Sequence, residues 1–262
     1  MIGLSALVVA HNEAEQLGAC LSCLSFADEI VVVLDRSTDA SRAIALAYGA
    51  KLVEGAWPIE GDRRAAGVEA CSAPFVLEVD ADERVTSALA EEIKQTLTAR
   101  AAQAEGSAKG FDWWRIPFDN YVGTRLVRYG WGAHMGVGAK AALFRKGVKS
   151  WARERVHPKV VMTGVSGGAL QNRMVHYLDR DVADMKSRFV RYTELRAQDL
   201  ADSGKCGTLG KNILRIFGRF WKCYILRQGF REGKMGFTIA SLAAFYPLVS
   251  YLKAVEILKK KS

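Results

Sequence analysis

Two carboxylates one residue apart, Asp80 and Asp82, stand where the apolar run Phe75–Val79 ends. On an extended segment alternate side chains point the same way, so both could reach one hard divalent cation, Mg2+ or Mn2+. Such a cation could bridge a diphosphate and neutralise charge on a departing nucleoside diphosphate. The same acid-rich stretch could instead serve the start of a helix, because Asp82 and Glu83 precede Thr86. Other polar groups follow other apolar runs: Asn12 and Glu13 come after Leu4–Val9, and Asp35 comes after Glu29–Leu34. His157 and His176 could complete a metal shell, bind an acceptor, or make structural hydrogen bonds.

The elements that must carry these groups can be read from the pattern. Strands are expected at Leu4–Val9, Glu29–Leu34, Lys51–Val53 and Phe75–Val79. Helices are expected at about Ala14–Leu24, to Tyr48 after Ser37-Thr38-Asp39, at Arg63–Cys71 and at Thr86–Ala101. Strands alternating with helices imply a mostly parallel sheet covered on both faces, an α/β fold. In such sheets ligands bind beyond the carboxyl ends of the strands, where Asn12, Glu13, Asp35, Asp80 and Asp82 all fall.

After residue 101 the chain becomes aromatic, Gly-rich and basic. Strands are expected at Phe111–Pro117, Tyr121–Trp131 and Ala141–Arg145, and a helix at Asp181–Leu200. Three regions follow: an αβ half over 1–101, a second half of the same domain over 102–200, and a helical extension over 201–262. The charge divides along the same line. Residues 1–100 hold 8 Lys/Arg and 16 Asp/Glu, a net of −8, against 29 and 12 in residues 101–262, a net of +17; the protein as a whole carries +9. A basic back half points to an anionic partner.

Within the extension, Lys211, Arg215, Arg219 and Lys222 fall in an arc of about 80° on a helical wheel, opposite a broad aromatic and aliphatic face. That pattern fits a helix in the interface of an anionic membrane, or one packed on the protein with a solvated basic side. Met235–Leu252 lacks charge but contains Gly236, Pro247 and Ser250, so a buried or interfacial segment is expected rather than a span. Lys259-Lys260-Lys261 adds a basic tail. The basic residues are interleaved with apolar ones at helical spacing, and no nucleic-acid partner is expected.

The 5 cysteines are an odd, scattered set. Cys20 and Cys23 form a C-x-x-C pair inside a helical pattern, where core packing is expected rather than zinc. Their spread and the lack of basic residues before Ile2–Ala10 point to the cytosol.

Leu4–Thr86 resembles family 2 glycosyltransferases of the GT-A fold. The resemblance is carried by Ala6–Glu13 (ALVVAHNE), Val32–Asp39 (VVLDRSTD) and Val79–Val85 (VDADERV). It is nearest to the lipopolysaccharide-core β-glucosyltransferases. It continues through Gly130-Trp131, Leu143-Phe144-Arg145, Arg155-Val156-His157 and the region from His176-Tyr177 to Arg191-Tyr192, covering about residues 3–255.

The resemblance implies an inverting, metal-dependent hexosyltransferase that takes a nucleotide-sugar, expected to be a UDP-sugar. The acceptor would be a lipid-linked glycan such as the lipopolysaccharide core. It implies that Asn12, Glu13 and Asp35 contact base and ribose, that Asp80 and Asp82 hold ribose, diphosphate and metal, and that Arg64 contacts the diphosphate or sugar. His157 would join the metal shell. Trp131, His134, His176 and Arg180 would face the acceptor, with Lys186, Arg188 and Arg191 near them. A base would deprotonate an acceptor hydroxyl. The sequence departs from the family's pattern in three places: Arg63 and Ala65 flank Arg64, Gly132-Ala133-His134 follows Gly130-Trp131, and Pro158 replaces a glutamate after His157. Glu154 is therefore taken as the base. The expected location is the cytoplasm, peripheral on the inner face of the cytoplasmic membrane, with the C-terminal helices meeting lipid or a second copy. Pro158 leaves room for a non-catalytic sugar-nucleotide-binding subunit. A nucleotidyltransferase is disfavoured because no Gly-rich loop follows the first strand.

Overall fold

The computed structural model describes residues 3–105, 110–132, 135–155, 158–204 and 206–261. Contacts divide the chain into two compact units. The first comprises Met1–Phe118, Ala139–Glu154 and Pro158–His176, and the second comprises Asp119–Gly138, Arg155–His157 and Tyr177–Ser262. This division differs from the three consecutive regions expected. Residues 119–138 and the helix after residue 181 belong with the C-terminal helices, because contacts distant in sequence decide the unit.

Unit 1 opens with the expected alternation: β1 (Leu4–Ala10), α1 (Ala14–Ser22), β2 (Glu29–Asp35), α2 (Ser41–Ala47), β3 (Lys51–Gly55), α3 (Glu60–Ala70) and β4 (Phe75–Asp80). A short β5 (Glu83–Arg84) and the long α4 (Ser87–Glu105) follow. Strands β1, β2, β3 and β4 are parallel, in spatial order β3-β2-β1-β4. Every residue of β1 is buried. Ala6 and Val8 face a core shared with Leu17, Leu21 and Ile93, while Leu7 and Val9 face a second core with Val31, Val33 and Phe144. A strand apolar on both faces must be covered twice, and the helices do this. On one side α3 approaches so closely that a Cβ on Gly67 would lie 2.5 Å from Leu7. A larger residue there would have to push aside the ends of the Leu7 and Val33 side chains in the packed core.

The sheet then changes direction. Its further strands are β6 (Trp113–Val122), β8 (Ala139–Arg145) and β12 (Met174–Asp179), continuing the order as β4-β8-β6-β12-β5. β8 lies antiparallel to β4, with Phe75 opposite Arg145 and Leu77 opposite Leu143. β9 (Lys149–Trp151) and β10 (Val160–Met162) form a separate hairpin, and β11 (Ser166–Ala169) pairs with β6. The α/β arrangement expected from the sequence is therefore present. The strand expected over Tyr121–Trp131 is reduced to β7 (Arg125–Val127), which pairs with the end of β6.

Unit 2 is built on α5 (Val182–Ser203), α6 (Leu209–Trp221) and α7 (Lys234–Lys261). Asp181 caps α5 by accepting from the Asp184 amide at 2.7 Å, and Gly204 ends it in a left-handed turn. Ala240, Ala243 and Ala244 are fully buried and let α7 pack along α5, where Tyr246 donates to the Tyr192 carbonyl at 3.3 Å. By length and composition α7 could cross a membrane, with a mean hydropathy of 1.4, yet 39% of its most apolar stretch is buried within the protein.

Candidate active site

The polar residues expected beyond the sheet are found at the carboxyl ends of β1, β2 and β4, and the loops that carry them are locked together. Asn12 follows β1 with a φ of 55°, and Arg36 follows β2 with a φ of 50°. Each is a left-handed conformation that costs a non-glycine residue about 1 kcal/mol or more. Asn12 Oδ1 accepts from the Thr38 amide at 2.8 Å, and the Asn12 amide donates to Ser37 Oγ at 3.2 Å. The Glu13 amide donates to Ser41 Oγ at 3.1 Å. Asp39, expected to cap only its own helix, accepts from both the Ala14 amide at 2.9 Å and the Ser41 amide at 3.0 Å. It thereby satisfies an orphan donor at the start of α1.

Asp35 is buried and held from three sides. Arg36 donates to both its oxygens at 2.9 and 2.8 Å, the Trp57 amide donates at 3.0 Å, and Arg63 stands 3.3 Å away. Burial alone would raise its pKa, but these donors hold the carboxyl below the usual range. Arg63, which departs from the family's pattern, is thus an Asp35 partner.

The two members of the Asp-Ala-Asp motif take different partners. β4 ends at Asp80 and the chain turns at Ala81-Asp82, so the two-residue period of an extended strand stops there. Asp80 accepts from Arg64 at 3.0 Å and from Lys140 at 3.1 Å, one oxygen to each. Enclosure by its neighbours would raise the Asp80 carboxyl, whose side chain is 32% exposed, but these two charges keep it well below the ordinary carboxylate range. Arg64 is itself mostly enclosed, binding Glu60 at 2.8 Å as well as Glu78 and Asp80. It acts as a brace for Asp80 rather than an arm extended to a diphosphate. Lys140 also binds both oxygens of Glu83, at 2.7 and 2.8 Å. Burial raises its neighbour Glu83, with Lys140 opposing that and the Asp80 charge adding to it.

Asp82 has a different partner. Its side chain is 33% exposed and lies 3.4 Å from Nε2 of His176, which β12 brings in from sequence far downstream. His176 packs on the Phe118 ring at 5.5 Å, and Asp82 raises its pKa against the effect of burial. His176 is therefore a neighbour of the motif. A carboxylate beside an imidazole is a chemically apt pair for a divalent cation, and it forms part of a shell. Among the described residues no group of three metal-binding side chains gathers, so bound diphosphate or water would have to supply the rest.

The remaining expectations divide. Trp131 is buried in the core of unit 2 with Met135, Cys223 and Ile239, and its indole N–H donates to the Val127 carbonyl at 2.7 Å. This corrects its acceptor assignment, since the ring is not offered to a sugar. Arg188 likewise serves structure, gripping Asp179 at 2.7 Å through two nitrogens and the Met135 carbonyl at 2.9 Å. Arg180 is exposed and lines a shallow depression with Asp181 and Asp184. Glu154 accepts from the Lys159 amide at 3.2 Å. His134 and His157 lie outside the described residues.

Lys140, Glu83 and Arg84 were not anticipated. Arg84 ties the turn to α1 through the Gln16 side chain at 2.6 Å and the Ala81 carbonyl at 2.8 Å. The motif rests on α1 from below, where Cys20 Sγ lies 3.5 Å from the Asp80 carbonyl and the Val85 amide donates to Cys23 at 3.3 Å. Both thiols are raised by burial, in keeping with packing rather than metal chemistry.

Known proteins resemble this chain along most of its length. The chain is 28% identical to the lipopolysaccharide core biosynthesis glycosyltransferase LpsC of Rhizobium meliloti (strain 1021), over 97% of this chain and 92% of LpsC. It is 24% identical to an uncharacterized glycosyltransferase of Rickettsia felis, over 98% of this chain and 91% of the relative. The crystal structure of S. aureus TarS 1-349 aligns over 99% of this chain and 91% of its own, with 11% identity and a TM-score of 0.49. The family profile described as glycosyl transferase family 2 matches residues 5–151, a stretch that contains Asp35, Arg64, Asp80, Asp82 and Lys140. The chain belongs to glycosyl transferase family 2.

Proposed function

We propose that the protein is an inverting hexosyltransferase that moves one sugar from a UDP-sugar to a lipid-linked oligosaccharide such as the lipopolysaccharide core. The observation that carries this reading is the set of carboxylates at the strand ends: Asp35 and Asp80 fixed by cations, and Asp82 left partly open beside His176. Asn12, Glu13 and Asp35 would take the base and ribose. A divalent cation, Mg2+ or Mn2+, would supply charge neutralisation at the diphosphate, with Asp82 and His176 as its ligands from the described residues. Asp80 reaches that region already clamped, and so would help shape the ribose and diphosphate pocket. Glu154 remains the proposed general base and His157 a proposed further ligand. Arg180, with Lys186 and Arg191, is proposed to meet the acceptor, as is His134. We place the enzyme in the cytoplasm, at the inner face of the cytoplasmic membrane where such an acceptor would be presented.

A thermal-shift screen of nucleotide-sugars with and without Mn2+ tests the donor half. Stabilisation by one UDP-sugar, abolished by EDTA, is expected, and no response to any of them would overturn it. Pro158 supports a second reading, a binding subunit without turnover. Glu154→Gln separates the two. If Glu154 is the base, turnover on a competent acceptor should fall about 100-fold or more while donor binding persists.

A further inference from the structure

The side of α6 turned into unit 2 is mixed, carrying Asn212, Ile216, Arg219 and Phe220, while much of its aromatic and aliphatic surface is left outside. Asn212 is buried, and Arg219 is drawn inward far enough for burial, with Arg215 nearby, to lower its pKa. Facing outward are Leu214 and Phe217, each 71% exposed, and Trp221, 58% exposed. At 100° per residue these three occupy an arc of about 60°, so they form one stripe along the helix. Aromatic contacts extend it beyond the helix end. Phe220 stacks on Tyr224 at 5.2 Å, and Tyr224 meets Phe230 at 6.5 Å and Phe237 at 6.0 Å. Phe230 and Phe237 are themselves exposed. Contiguous large apolar side chains of this kind mark a surface that meets something apolar.

The rim states what that partner must be. Lys211, Arg215 and Lys222 are exposed along one flank of the stripe, and Arg227, Arg231 and Lys234 are exposed in the segment that follows. From Ser203 through Arg231 there is no acidic residue. Glu232, the next, is buried and committed to Arg125 at 3.1 Å and to the Arg128 amide at 2.8 Å. Pairing this face with a second copy would bring two basic rims together with no counter-charge. An anionic phospholipid leaflet offers both an apolar interior and a negative surface.

We propose that this face docks on an anionic bilayer, with α6 lying in the plane of the interface, Leu214, Phe217 and Trp221 among the acyl chains, and Lys211, Lys222 and Arg231 at lipid phosphates. The proposal specifies the surface behind the membrane location given above. It concerns unit 2 alone and requires no transfer reaction.

The test uses the full chain with phosphatidylcholine vesicles, with and without about 30% phosphatidylglycerol. Binding is expected mainly to the anionic vesicles and should weaken at about 0.5 M salt. Brominated acyl chains should quench the tryptophan fluorescence, and Trp221→Phe should remove most of that quenching. Leu214→Ser/Phe217→Ser should bind about tenfold or more weakly at an unchanged melting temperature, since both positions are exposed. If that variant melts early, the quenching of the unaltered chain still decides the matter. Failure to bind anionic vesicles, a soluble dimer in their place, or quenching unchanged by Trp221→Phe would each overturn the proposal. Vesicle binding is read without nucleotide or turnover, so its failure would leave the transferase reading untouched.

Discussion

Lys140 Nζ lies 3.1 Å from Oδ2 of Asp80, and the antiparallel register of β4 and β8, continued from Leu77 opposite Leu143, sets these two residues across from one another. A lysine from the second half of the chain thus holds the first carboxylate of the motif, with Glu83 as its other partner at 2.7 Å.

Lys140→Met should leave the buried Glu83 and the partly exposed Asp80 crowded together without their shared cation. The expected loss is about 3–5 kcal/mol of unfolding free energy, measured by urea denaturation. Lys140→Arg should recover part of it. Equal stability of the methionine variant would mean that the ion cluster contributes nothing net.

Asp82→Asn makes the opposite demand. Asp82 is partly open, so its amide variant should melt within about 1 kcal/mol of the unaltered protein. Sugar transfer should nevertheless fall about 100-fold or more, because charge at the diphosphate would go uncompensated. Release of nucleoside diphosphate, followed alongside a melting curve, distinguishes the two effects.

Glu29 supplies a pH dependence away from the site. Burial would raise its carboxyl, but Ser5 Oγ and the amides of Ser72 and Ala73 bring it down from 4.5 to about 2. Its folded pKa is depressed, so its contribution to stability is full above the unfolded value and is lost as pH falls toward 2. Glu29→Gln should therefore flatten the acid limb of a stability profile between about pH 5 and pH 2. An unchanged limb would contradict the assignment.

Trp131→Ala should destabilise unit 2 by about 3–5 kcal/mol through the cavity it leaves and the loss of its hydrogen bond to Val127. At a temperature where the variant stays folded, acceptor preference should not change. A changed preference would return this ring to the acceptor site.

What was legible in the sequence were the features set by local pattern. Runs such as Ile30–Leu34 declare buried strands, and Asn12, Asp35 and Asp80 mark their ends. The Asp82–His176 pair was not legible, since 94 residues separate the two positions and only the pairing of β12 with β5 joins them. Lys140 was hidden for a similar reason, falling one residue before the expected strand Ala141–Arg145. The wheel of α6 was read correctly as amphipathic. Which side faces the protein depends on α5 and α7, whose packing no local window contains. The acceptor role expected of Trp131 rests on the resemblance alone, and its place in the core is set by Met135, Cys223 and Ile239, two of them distant in sequence.

The left-handed residues Asn12 and Arg36 bear on ligand entropy. Their conformational cost is met when the protein folds, through the cross-loop bonds of Asn12 to Ser37 and Thr38 and of Arg36 to the Trp57 carbonyl. A loop already immobilised has little freedom left to surrender, so a ligand arriving at these strand ends loses less of its binding energy to ordering the protein. Rigidity acquired in folding becomes affinity that binding does not have to supply.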